Sequence, residues 1–145
     1  MKKLIIFLDF DGVLHPVLCN PEKFFSRREE FENTIRKLEN VEIVISSSWR
    51  HQYEFEELVN FFSLDIQRLI SGCTRSVLES KVTKRYDEIM DYLIHYDRED
   101  EEWIAIDDSR EEFPENCPNL ILCNRHKGFD VESAASLVLT STKRL

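Results

Sequence analysis

Glycine and proline are scarce, three and four residues in a chain of 145, which leaves little room for disordered linkers. Long apolar runs are missing as well. The stretch Leu4 to Leu8 is shorter than a signal-peptide core, and no window approaches a membrane span, so a cytoplasmic protein with no membrane partner is expected. The four cysteines, Cys19, Cys73, Cys117 and Cys123, contain no C-x-x-C pair, and the step from Cys117 to Cys123 is not a common zinc spacing. Reduced, structural thiols are the expectation. Positive charge is in deficit: 19 Lys and Arg face 28 Asp and Glu, a net charge of −9. Such a surface repels a phosphate backbone, which argues against non-specific nucleic-acid binding and requires any polyanionic partner to be met locally.

What is present is an alternation. Leu4-Ile5-Ile6-Phe7-Leu8 runs into Asp9, Val41 to Ile45 runs into Ser46, and Trp103-Ile104-Ala105-Ile106 runs into Asp107-Asp108. Short, nearly continuous runs rich in isoleucine and valine fit strands of a parallel sheet covered on both faces. Between them, helical spacing of apolar residues predicts helices over 24–39, 53–62 and 82–96. Leu120-Ile121-Leu122 reads as a further strand and 66–71 as another. Asp130 is placed to cap a last helix burying Val131, Ala134, Ala135, Leu137 and Val138. One domain over 1–145 is expected, an α/β fold with a three-layer, doubly wound, Rossmann-like parallel sheet. In such folds ligands bind outside the carboxyl ends of the strands, where the three polar strand ends converge.

Two like charges close one of these strands. In extended chain Asp9 and Asp11 share a side, and Gly12 lets the backbone turn away. Carboxylates that close need a cation to offset their repulsion, and Mg²⁺, a hard ion with oxygen ligands, suits them. Asp107 and Asp108 extend the acidic set, and Ser46 offers a hydroxyl to a phosphate oxygen. The competing reading of Asp11-Gly12 is a plain turn.

The segments "FLDFDGVLHP", "VISSSWR", "RYDEI" and "WIAIDDS" resemble the haloacid dehalogenase (HAD)-like phosphohydrolases, and more narrowly the HAD-like domain of Swiss Army Knife RNA repair proteins. The resemblance implies a Mg²⁺-dependent phosphatase working through an aspartyl-phosphate. Asp9 would be the nucleophile, and Asp11 the acid that protonates the leaving oxygen and then activates water. The metal would be held by the Asp9 carboxylate, the Asp11 carbonyl and the pair Asp108 and Asp107, with Asp108 favoured as direct ligand. Ser46 would grip phosphate, with Ser47 beside it or capping the next helix. The basic phosphate partner is one of Lys81, Lys84 and Arg85. Glu112 reads as a ligand to a metal water or a solvated charge, Arg50 as a phosphate contact or a solvated arginine, and His15 as a turn residue or substrate contact. The intervals between these motifs leave no space for a cap domain, so the site should be open to a phosphorylated substrate, including a nucleic-acid end. A narrower version is a polynucleotide end phosphatase in nucleic-acid repair; the rivals of another class are a phospho-accepting signalling domain and a catalytically silent Mg²⁺-binding or interaction module. Neither substrate nor oligomeric state is legible.

Overall fold

The computed structural model describes residues 3–77 and 83–143. Five strands, β1 (Leu4–Leu8), β2 (Val41–Ile45), β3 (Ile70–Cys73), β4 (Trp103–Asp107) and β5 (Leu120–Leu122), form one sheet in the order β3-β2-β1-β4-β5. All neighbouring pairs are parallel, with Leu4 opposite Val41 and Ile5 opposite Trp103.

The apolar runs are continuous because each strand feeds two cores. Leu4, Ile6 and Leu8 pack with Phe31, Ile35, Leu58 and Leu137 on one face, whereas Ile5 and Phe7 pack with Ile89, Tyr92 and Leu93 on the other. Helices α1 (Arg28–Ile35), α2 (Phe55–Asn60) and α5 (Val131–Thr142) supply the first set, and α4 (Lys84–His95) supplies the second. This is the expected three-layer doubly wound sheet. The short helix α3 (Leu64–Gln67) leads directly into β3. Strand order reverses between β1 and β4, which opens a crevice at their carboxyl ends. The β1–β2 connection holds turns and α1, and the β2–β3 connection holds α2 and α3, so neither carries a cap. Among the described residues, no helix is long and apolar enough to cross a membrane.

Several boundaries and one buried face differ from expectation, and the first helix stops at Ile35, four residues before Glu39. The first helix begins at Arg28, four residues late, because Phe25 sits at φ 63°, a left-handed conformation that interrupts a helix. The segment 66–71 holds the end of α3, a turn and the start of β3, since the strand begins only at Ile70 after α3 closes. Asp130 does cap α5, accepting from the Ser133 amide at 3.0 Å, but the buried stripe is Ser133, Leu137 and Ser141, while Val131, Ala135 and Val138 face outward. Helical phase is set by how α5 docks beside α1 and β5, a tertiary choice.

Candidate active site

Backbone pairing carries past the strand ends and places the first two groups. The Asp9 amide donates to Ile106 O at 3.1 Å and the Ser46 amide to Leu8 O at 2.9 Å, so both residues leave the sheet beside the crevice. Asp107 is the last residue of β4. Carboxylate oxygens of Asp9, Asp107 and Asp108 lie within 4.8 Å of one another.

Local hydrogen bonds hold these acids. Asp9 Oδ1 accepts from the Phe10 amide at 2.8 Å, and Asp107 Oδ1 from the Ser109 amide at 3.0 Å. Asp107 Oδ2 is buried with no hydrogen-bond partner. Asp108 Oδ2 lies 3.6 Å from Arg125 Nε. Burial, reinforced by the charge of Asp107, raises the Asp9 carboxyl well above the ordinary carboxylate range, and burial pushes Asp107 up to about 7. Three mutually repelling carboxylates, all oxygen donors, one with an orphaned oxygen, form a donor set that fits a hard divalent cation such as Mg²⁺. Gly12, at φ 78°, is required here, because a β-carbon at this position would overlap the Asp108 carboxylate.

Asp11 takes a different course. The sequence reading set Asp9 against Asp11, whereas the fold sets Asp9 against Asp107 and Asp108 and leaves the Asp11 carboxylate outside that cluster. A tight turn, in which the Val13 and Leu14 amides donate to Phe10 O, re-aims it. His15 Nε2 lies 2.8 Å from Asp11 Oδ1, and Trp49 Nε1 donates at 3.1 Å to both carboxylate oxygens. The His15 bond, more than any other contact, lowers the Asp11 carboxyl below its usual value. His15 is neither a bare turn residue nor solvent-facing, with 1 % of it exposed.

The phosphate-side candidates separate by geometry. Ser46 Oγ is buried without a hydrogen-bond partner, while Ser47 Oγ accepts from the Trp49 amide at 3.1 Å and caps the turn Ser48–His51. In the first turn of α4, Arg85 extends along the acids: Nε is 3.4 Å from Asp107 Oδ2 and Nη2 3.9 Å from Asp9 Oδ1. Its Nε and Nη1 are buried without hydrogen bonds. Lys84, one residue earlier, is exposed, and Lys81 lies outside the described residues. Arg50 is not solvated: its Nη2 pairs with the carboxylate of buried Glu88 at 2.7 Å and its Nη1 bonds the Ser47 carbonyl at 3.0 Å. Glu112 is half-buried in the turn Arg110–Glu112, where its charge acts on Asp107 and Arg85.

The sequence assigns no role to Trp49, Glu88, Thr74 or Arg125. Thr74 extends β3 through its amide bond to Ile45 O at 2.9 Å, and its buried Oγ1 is a further hydroxyl without a partner. Two of them left a trace, Trp49 as the aromatic after the serine run in "VISSSWR" and Glu88 within "RYDEI". The site thus joins an acidic cluster to a guanidinium with buried nitrogens and unpartnered hydroxyls, chemistry suited to a dianionic phosphoryl group beside a cation. The family described as the HAD domain in Swiss Army Knife RNA repair proteins matches residues 5–134. No curated protein and no solved structure matches the chain.

Proposed function

Because the chain belongs to the HAD domain family of Swiss Army Knife RNA repair proteins, a family of hydrolases, we propose that it is a Mg²⁺-dependent phosphatase acting through an aspartyl-phosphate. The observation that carries this reading is the alignment of buried Arg85 along Asp9 and Asp107, with hydrogen-bonding capacity left unused on Arg85, Asp107 and Ser46.

Asp9 is the nucleophile. Its Oδ1 is anchored by the Phe10 amide, which leaves Oδ2 to attack phosphorus in line with the leaving oxygen. Arg85 and the Ser46 hydroxyl hold the phosphoryl oxygens, and their positive and dipolar character answers the charge that builds there. Asp11 protonates the departing oxygen, then takes a proton from the water that opens the phosphoryl-aspartate. Its lowered pKa favours the second role, and a phosphate dianion arriving beside it raises the pKa again for the first. The carboxylates of Asp9, Asp107 and Asp108, with the Asp11 carbonyl, would hold Mg²⁺, which when bound neutralises the clustered acids and polarises the phosphoryl group.

The test is phosphate release from an aryl phosphate with Mg²⁺ present and absent, in the wild type and in Asp9→Asn. Turnover requires the metal and disappears in the variant; undiminished turnover in Asp9→Asn refutes the nucleophile. A stable phosphoryl-aspartate with little turnover would instead mark a phospho-accepting domain.

The family description favours a narrower reading, a polynucleotide end phosphatase. The uncapped site suits a polymer end, and a net charge of −9 requires that end to be captured by local contacts. Comparing 5′- and 3′-phosphorylated oligonucleotides with nucleotides and sugar phosphates decides between the two.

A further inference from the structure

Asp11 is half-exposed, yet it is gripped by two shielded ring donors. The tautomer of His15 follows from its partners. The Phe25 amide donates to Nδ1 at 3.2 Å, and a nitrogen that accepts a hydrogen bond bears no proton, so the proton sits on Nε2 and points at Asp11 Oδ1. The turn that presents this amide holds Phe25 at φ 63°, a costly conformation for an aromatic residue. Trp49 approaches with an indole N–H, a group that only donates.

Packing prevents either ring from turning. The His15 ring lies 4.8 Å from Phe24, 5.6 Å from Phe25 and 5.5 Å from Trp49, centroid to centroid. Trp49 in turn stacks on Tyr53 at 5.5 Å and meets Phe10 at 5.6 Å. A half-exposed aspartate without such partners would sample several rotamers. Oδ1 takes both donors and Oδ2 takes only one, which leaves Oδ2 the less engaged oxygen.

We propose that His15 and Trp49 are positioning residues for the acid–base group of the phosphatase, fixing the Asp11 carboxyl so that Oδ2 exchanges the proton with the leaving-group oxygen. The inference rests on the reading in which Asp11 carries that role. In the step concerned, Asp9 Oδ2 bonds to phosphorus as the bond from phosphorus to the leaving oxygen breaks; the electron pair of the broken bond stays on that oxygen, and the Asp11 proton goes to it. Asp11 becomes a carboxylate, the form to which both rings donate.

The experiment exploits the leaving group. A nitrophenolate departs without a proton and an alkoxide does not, so the ratio of kcat/KM for an alkyl phosphate to that for p-nitrophenyl phosphate reports proton donation alone. Dephosphorylation, common to both substrates, drops out of that ratio. Asp11→Asn should lower it about 100-fold. Trp49→Phe and His15→Ala should each lower it about tenfold, the loss expected from a misaligned proton donor. His15→Gln, whose carboxamide N–H can replace Nε2–H, should recover most of the loss, and none of these changes should add to Asp11→Asn. An unchanged ratio in both Trp49→Phe and His15→Ala, or equal losses on both substrates, overturns the proposal. Trp49→Phe keeps an aromatic ring in the packing and decides the matter if His15→Ala does not fold. If Asp11→Asn itself leaves the ratio unchanged, the acid–base assignment fails, and that outcome is separate from failure of the positioning role.

Discussion

Arg50 Nη2 lies 2.7 Å from Glu88 Oε2, with 8 % of one side chain and 2 % of the other exposed. The pair joins the Ser46-Ser47 segment to α4, because the same arginine holds the Ser47 carbonyl and Glu88 sits one turn beyond Arg85. Arg50→Ala removes the closest partner of a buried carboxylate and leaves it, among the described residues, only Arg85 Nη1 at 4.0 Å; breaking a buried pair costs about 3 kcal/mol. Urea unfolding should show a loss of unfolding free energy of that size, with a loss of the proposed phosphatase activity beyond what the unfolded fraction explains. A variant as stable as the wild type would show that Glu88 does not depend on Arg50.

Gly12→Ala should disable the acidic cluster. The added carbon meets the Asp108 carboxylate, and the φ of 78° costs a non-glycine residue at least about 1 kcal/mol. Calorimetry should report a folded but weakened protein whose melting temperature no longer responds to Mg²⁺. A normal response would mean that Asp108 moves aside freely.

Protons and Mg²⁺ should compete at the site. A carboxyl raised in the folded state contributes stability that is complete below its unfolded pKa and is lost as pH rises through the folded one; for Asp107 that window runs from 3.8 to about 7. Mg²⁺ binds the ionised form, so the melting-temperature gain at saturating Mg²⁺ should increase between about pH 5 and about pH 8. Asp108→Asn should erase most of that gain. A gain independent of pH would show that the buried acids are not the ligands.

A second pH effect lies far from the catalytic groups. Glu42 receives Arg98 Nη1 and Nη2 at 2.7 and 2.8 Å, and these bonds, more than its other contacts, hold its carboxyl below the usual value of 4.5. A lowered carboxylate contributes stability above its unfolded pKa and loses it as pH falls through the folded one. Glu42→Gln should therefore melt lower than wild type at neutral pH, with the difference closing in acid. Parallel melting curves across the whole range would remove the pair from the acid transition.

Much of the architecture could be read from residue patterns. Ile5 and Ile6 feed opposite cores, which is why the strand reads as one unbroken apolar run, and Asp130 announced the start of α5. The same patterns misplaced the start of α1 and the buried face of α5, since Phe25 is diverted to His15 and α5 turns Ser133, Leu137 and Ser141 inward. At the site, the strand-end aspartates and Ser46 were visible as polar residues closing apolar runs. The contact of Asp11 with Trp49 was not, because Trp49 is 38 residues away and nothing local to either residue records their meeting; His15, four residues on, was visible but without its role.

The linear order of residues determined which segments become strands and which end in acids or a serine, and hence where polar groups gather; these follow from burial on both faces and from abrupt polarity at strand ends. The tertiary structure alone decided which acids confront one another and which cation faces them, choosing Arg85 over Lys84 and giving Asp11 to two aromatic rings. Those choices depend on the rotation of α4 about its axis and on the path of the turn after β1. Both are set by packing between distant segments, about which local sequence carries no distance information.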